Sequence, residues 1–525
     1  MSLHSLLVVP VVSSQHGGLV FLLIYSLVLF MVGWPLLLLE MFLGQFSGLA
    51  PAQLFRHLSP VMAGLGVAMC GQALIRAVLE TGVMVWMGAL MVKLFTEQRV
   101  QKGTFTEEVL NKGDSSLEAL GELETDLVIV LGIVILTMFV LTAAGTRSVG
   151  KVSCFLVPVC YILLTILVIN SCLSPGGSQG VITLLQPDWR FVKEPGTWLE
   201  AASQVIFSLQ LGLGGVSSYS RYNKYHHNIV QDSTIIITSH LVWVILATLL
   251  TTSLLGSVLT PGIPTTGVWL ATTTLLEESF LTLSTGWFWA GLYFLLLTLV
   301  GITSVLGYVE AITSSLVILP ELVKYKPVLS LCVLVVIFLL DLVLATQGGI
   351  HVYHLLLTYI SDWPAILFTF IIVVTTILAH GTRKIINDIS SMTIMSLPHL
   401  VTSHLSVCFT TIIPLLSAVR IVNPLVLIIY YPHIFQASLG HVLFKLSEYH
   451  LEDSMAVFGL SLSEPWAVVL GWSIAGIPFI PVVFGICIRM AWVSRGVPLY
   501  QVSTLSTGVL LSNILIVLIL VITFS

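Results

Sequence analysis

Apolar residues in this chain do not alternate or recur on one helical face; they come in long unbroken runs. Such runs, each about 20 residues long, suffice to cross the roughly 30 Å hydrocarbon core of a bilayer as a helix. They predict spans near 19–48, 61–95, 126–145, 151–171, 198–220, 232–257, 285–318, 328–346, 350–380, 403–428, 466–489 and 504–524. The segment before Gln15, "MSLHSLLVVPVVSSQ", is too short to cross and has no basic leader, so it reads as neither a signal peptide nor a full span. The pattern therefore predicts an all-α polytopic membrane protein with about 11–12 transmembrane helices.

Composition agrees. Of 525 residues, 57% are hydrophobic and 9% charged, and the mean hydropathy is +1.04. Soluble domains carry about a quarter charged residues, so lipid is the solvent here. The net charge of −5 is dispersed and implies no nucleic-acid partner. Arg56, Arg147, Lys151, Arg221, Lys224, Lys324, Lys326, Arg383, Lys384, Arg489 and Arg495 fall in loops on one face, which the distribution assigns to the cytoplasm.

Chemistry of the catalytic kind has little foothold, and no enzyme is expected. The seven cysteines sit in or at the ends of apolar runs, and there is no CxxC, HExxH or complete GxGxxG. His226 and His227 read as a solvated loop pair rather than a metal site.

Three features depart from a plain bundle. Gly212, Gly214 and Gly215 interrupt "SQVIFSLQLGLGGVSSYSRYNK" in mid-span. They mark either unwound backbone, tolerated at this depth only against protein or a cavity, or a close-packing face of an unbroken helix. Arg76 and Glu80 lie one turn apart in an otherwise uncharged span. Each charge costs roughly 2.5–3.5 kcal/mol at the bilayer centre, so the two are expected to face the bundle interior as a mutually dependent pair. That pair is either a binding site or a salt bridge closing a cavity. Asp341, in the span 328–346, reads as a polar contact between helices.

Longer motifs carry a resemblance. "GWPLLLLEMFLGQFSG" contains Pro35, Glu40, Gly44 and Gln45; "GTRSVGKV" covers 145–152. "QPDWRF", "TWLEAASQVIFSLQLGLGG", "SYSRYNKYHHN", "GITSVLGYVEAITSSL" and "LATQGGIHVYHLL" follow in order. Together, from about His16 to Arg495, they resemble the neurotransmitter:sodium symporter family (solute carrier family 6). The resemblance implies the leucine-transporter-type fold of two inverted five-helix repeats, with a solute site near the midplane between broken helices one and six. Residues 1–495 would form that domain with an incomplete first helix, and 496–525 a C-terminal segment with an additional hydrophobic helix.

The resemblance also implies roles. Gly17, Gly18 and Pro10 match the first helix, and Val8 stands at the outer-gate arginine. Its acidic partner corresponds to Leu357 and the inner-gate aspartate to Ile318, with Glu321 a nearby substitute. Glu40 and Glu310 match buried structural acids. Sodium ligands would be Val300, Thr303 and Ser304 at one site, and Ser208 with His240 at the other, where imidazole is a poor ligand. Chloride would bind Ser208, a second-helix tyrosine and a seventh-helix serine; the latter two are aligned with Leu38 and Val244, so no chloride site is expected. Gln204 and Phe207 are retained. Aligned on Gly66 and Trp86, Glu80 takes the place of a substrate-contacting tyrosine, which extends the substrate site to Arg76, Glu80, Phe207, Ser208, Gln210 and Gly212. The implied function is a sodium-coupled, chloride-independent plasma-membrane transporter of an amino-acid-like or neurotransmitter-like small solute. The alternative is a transport-deficient relative acting as a membrane scaffold or partner subunit.

Overall fold

The computed structural model describes residues 2–97, 109, 120–257, 285–317, 320–360, 363–393, 398–414 and 465–493. The final apolar run, Ile318 and most of the span 403–428 lie outside them. Among the described residues, eight helices are long and apolar enough to cross a membrane, or nine if one pair bent by 87° counts as a single span. The chain is an all-α, multi-pass membrane protein.

The first elements are α1 (Leu3–Gln15), α2 (Leu19–Ser47), α3 (Leu65–Glu97), α4 (Thr125–Ala143) and α5 (Thr146–Leu173). The sixth, α6, is broken into Pro195–Ser208 and Gly215–Ser220. Then come α7 (Ile229–Ser257), α8 (Gly286–Leu316), α9 (Lys326–Leu344), α10 (Gly349–Ile360), α11 (Trp363–His380) and α12 (Thr382–Thr393).

Burial separates centre from rim. In α3, 83% of the apolar window is buried, against 22% in α4 and in α5. The α4 and α5 surfaces instead expose Ile129, Ile133, Leu136, Val140, Phe155 and Ile162, which is how helices bordering lipid present themselves. Among the described helices, the packing of α3 on α8 is the most extensive. Arg76 and Glu80 therefore belong to the most enclosed helix, as their charge requires.

Helix α1 starts with a reciprocal cap: Ser2 Oγ accepts from the Ser5 N–H at 3.2 Å, and the Ser5 side chain accepts from the Ser2 N–H at 3.3 Å. Two backbone donors that the first turn leaves free are thereby satisfied. Helix α1 has 13 residues, fewer than the roughly 20 that cross a bilayer.

The glycine run in α6 proves to be a break. Gln210, Gly212 and Gly214 all have positive φ, at 55°, 78° and 79°, a region closed to most side chains but open to glycine. The unwound backbone is stabilised from α2, where the Glu40 carboxylate accepts from the Gly212 N–H. Gly44, one turn on from Glu40, lets the second half of α6 lie against α2: a Cβ there would collide with Ser217 and Ser220. The "EMFLG" run thus serves the break twice, as a hydrogen-bond acceptor and as a groove.

Candidate solute site at the helix break

The residues singled out from the sequence fall into three groups. In the first, α3 and α6 bring Arg76, Glu80, Phe207 and Gln210 together. Glu80 Oε1 accepts from the Tyr308 hydroxyl of α8 at 2.8 Å and from Gln210 Nε2 at 3.4 Å. The strained φ of Gln210 turns its side chain back toward α3. The Arg76 guanidinium lies 5.2 Å from the centroid of the Phe207 ring, where the negative π face attracts a cation. Both charged side chains are buried, and Arg76 acts electrostatically on Glu80.

Two members of this group were not legible as site residues. His4 of α1 places Nε2 2.6 Å from Gln204 Oε1, and its ring centroid is 5.4 Å from that of Phe207. Tyr308 follows Ser304 by one turn of α8. The spacing of Val300, Ser304 and Tyr308 along one helix face was the signal available for it.

The second group surrounds Ser208. Tyr25 of α2, Ser208 of α6 and His240 of α7 form a closed triangle. Tyr25 Oη lies 2.7 Å from Ser208 Oγ and 2.9 Å from His240 Nε2, and His240 Nε2 is 3.1 Å from Ser208 Oγ. This corrects the alignment. The second-helix tyrosine beside Ser208 is Tyr25, and Leu38 is an apolar core residue. The α7 position Val244 is apolar and buried as aligned. Ser2 Oγ donates to the Ser208 carbonyl at 2.9 Å, and Trp243 Nε1 donates to Ser5 Oγ at 3.1 Å. The Tyr25 and Ser208 hydroxyls are thus engaged with each other and with His240.

The third group is Gly212 with Glu40. The Gly212 N–H is taken up by that carboxylate, and its α carbon faces Thr369 and Ala365 of α11. Gly212 is a backbone element of the break and does not join Arg76 and Phe207. On α8, the expected hard-oxygen ligands Val300, Thr303 and Ser304 share one turn. Thr303 Oγ1 donates to the Val300 carbonyl at 2.8 Å, and Ser304 faces Glu80. A backbone carbonyl and two hydroxyls suit a small hard cation, which takes oxygen ligands.

Beyond the site, at the far end of α8, Glu310 is held by Lys326, whose Nζ donates to its two oxygens at 2.7 and 2.9 Å. Tyr222, just past the second half of α6, donates to Glu310 at 2.9 Å. Glu321 is exposed, whereas Glu310 is buried with the Lys326 ammonium beside it. His227, in the loop before α7, pairs at 2.6 Å with Asp232 in the first turn of that helix, and both side chains are exposed, in line with the solvated reading. The cysteines among the described residues are free thiols.

A multi-pass α bundle with a helix broken at mid-depth, and with opposed charges gathered at the break, has the architecture of a secondary transporter. The sequence profile of the sodium:neurotransmitter symporter family matches residues 2–102 and 90–492, and the chain belongs to that family. Three relatives illustrate the distance. It is 27% identical over 424 residues to a sodium-dependent serotonin transporter of Drosophila melanogaster, covering 73% of this chain and 67% of that protein. To a sodium- and chloride-dependent GABA transporter 2 of Macaca fascicularis it is 26% identical over 425 residues, 73% and 70% of the two chains. A sodium-dependent dopamine transporter of Caenorhabditis elegans is 25% identical over 438 residues, 73% and 71%.

Proposed function

We propose that this protein is a sodium-coupled secondary transporter of a small amino-acid-like or neurotransmitter-like solute, acting at the plasma membrane without chloride. The observation that carries this reading is the convergence of Arg76, Glu80, Phe207 and Gln210 beside the break in α6. Arg76 offers a cation to a solute carboxylate, and Glu80 an anion to a solute amine. Family membership and the names of the relatives support sodium as the driving ion. Within this chain the oxygens of Val300, Thr303 and Ser304 are the best sodium ligands. Ser208, with imidazole rather than amide oxygen beside it, is the poorer site. Chloride independence is supported by apolar Val244 and by the mutual hydrogen bonds of Tyr25, Ser208 and His240.

A second reading, a transport-deficient relative serving as membrane scaffold or partner subunit, is favoured by one observation. His4–Gln204 and Ser2–Ser208 join α1 directly to α6 across the space between them. The two readings separate in one experiment. Purified protein in liposomes is given radiolabelled amino acids and amines under an inward gradient of sodium or of potassium. Concentrative uptake under sodium alone supports the transporter; no uptake with full folding and retained ligand-free stability supports the scaffold.

A further inference from the structure

Glu200 and Gln204 set the protonation pattern of His4. Glu200 Oε1, a carboxylate oxygen, accepts from Gln204 Nε2 at 2.8 Å. That contact orients the Gln204 amide, because a carboxylate offers acceptors and the amide nitrogen has the protons. Gln204 Oε1 is consequently the atom facing His4, 2.6 Å from Nε2. An amide oxygen only accepts, so His4 Nε2 carries the proton. In the neutral ring the other nitrogen, Nδ1, is then the acceptor. Among the described residues Nδ1 has no hydrogen-bond partner, nor is it among the buried atoms cut off without one. It lies on the ring that packs against Phe207, whose face also carries the Arg76 guanidinium.

Resting on the transporter reading above, we propose that His4 is a solute-binding residue whose Nδ1 accepts a hydrogen bond from an N–H of the solute amine, with Glu200 and Gln204 holding the ring in that tautomer. Arg76 is a donor to the opposite end of the same solute. The solute class that fits is one carrying both a carboxylate and a primary or secondary amine. A solute whose nitrogen is fully methylated has no proton to give.

The test uses three variants of the full chain in detergent. Glycine, alanine, leucine and 4-aminobutyrate, each beside its N-trimethyl counterpart, are titrated by calorimetry. The parent is expected to prefer the protonated amine over its trimethyl form by about tenfold or more, the size of one hydrogen bond to a charged group. His4→Asn retains an acceptor near the Nδ1 position but loses the bond to Gln204, so it keeps the preference with a lower melting temperature. His4→Gln retains the bond to Gln204 but no Nδ1 acceptor, so it melts as the parent does and loses the preference. In ¹⁵N-histidine spectra His4 is expected with Nε2 protonated, and Glu200→Gln, which frees the Gln204 amide to turn, redistributes the proton. An Nδ1-protonated His4 in the parent, or an undiminished preference in His4→Gln, overturns the role of His4 alone. Binding of no member of the panel overturns the amino-acid-like reading, and the role of His4 with it.

Discussion

The Tyr308 hydroxyl donates to Glu80 Oε1 at 2.8 Å, joining α8 to α3 by a charged hydrogen bond inside the bundle. With Ser304 also facing Glu80, the two helices are thereby held in one relative register at the site. Glu80 is thus fixed by a neighbour as well as balanced by Arg76.

Glu80→Leu is expected to be the most damaging single change at the site. It leaves the Arg76 guanidinium buried with less compensation and the Tyr308 hydroxyl without its acceptor, a loss of about 3 kcal/mol or more. Tyr308→Phe removes one charged hydrogen bond, about 1.5–3 kcal/mol. Arg76→Leu is tolerated better than Glu80→Leu, since a stranded carboxylate can take up a proton and a guanidinium cannot lose one. The double replacement Arg76→Leu, Glu80→Leu folds at least as well as Glu80→Leu. Thermal melting of the four variants in detergent decides; equal and additive losses at 76 and 80 would show that the two side chains are independent.

Uptake should be indifferent to chloride. With gluconate in its place at constant membrane potential, the initial rate is expected to stay within about twofold, a difference of under 0.5 kcal/mol. Val244→Ser adds a hydroxyl near the Tyr25, Ser208 and His240 triangle and tests the same idea from the other side. A large drop of the parent's rate in gluconate would show that Tyr25 and Ser208 still hold an anion.

Lys326 and Tyr222 clamp Glu310 where the second half of α6 leaves the bundle. The lysine ammonium also lies 5.3 Å from the Tyr222 ring centroid. Lys326→Met should cost about 2 kcal/mol through the buried carboxylate it abandons, while Glu310→Gln restores part of that loss in the double variant. Coupling of this sign in a double-variant cycle of melting temperatures is the expected result; strict additivity would dissolve the clamp.

Gly212→Ala should destabilise the break by about 2 kcal/mol. The backbone φ of +78° is unfavourable for any side chain, and a Cβ would meet Thr369 Oγ1 at 2.8 Å. Thr369→Ala in the same chain removes the collision but not the strain. A partial recovery of melting temperature is therefore expected, and a full recovery would show that φ imposes no cost.

Much of this molecule follows from its sequence. Long apolar runs leave helices in lipid as the solution that satisfies the backbone; most of the predicted spans that fall on described residues are helical, while 198–220 is broken and 350–380 divides into α10 and α11. The glycines of α6 announced that a helix could open there. The rarity of charge made Arg76 and Glu80 conspicuous, because charge at membrane depth has to be sheltered by protein. Five-residue and longer motifs, in order, were enough to place the family. Each of these signals is local, or depends only on which solvent surrounds the chain.

Tertiary packing decided the rest, because contacts between helices depend on their rotation about their own axes and on their relative depth. Tyr25 and Leu38 both belong to α2, and nothing along the chain says which faces Ser208; the fold selects Tyr25. Gly212 and Phe207 are close in sequence, yet the unwound turn directs one to Glu40 and the other to Arg76. Glu321 and Glu310 stand within a few turns of each other, but only Glu310 meets Lys326 in a buried setting. His4 gave no sign at all in the sequence: a histidine in a short apolar stretch becomes a site residue when α1 lies against α6 and the Gln204 amide is turned to meet it.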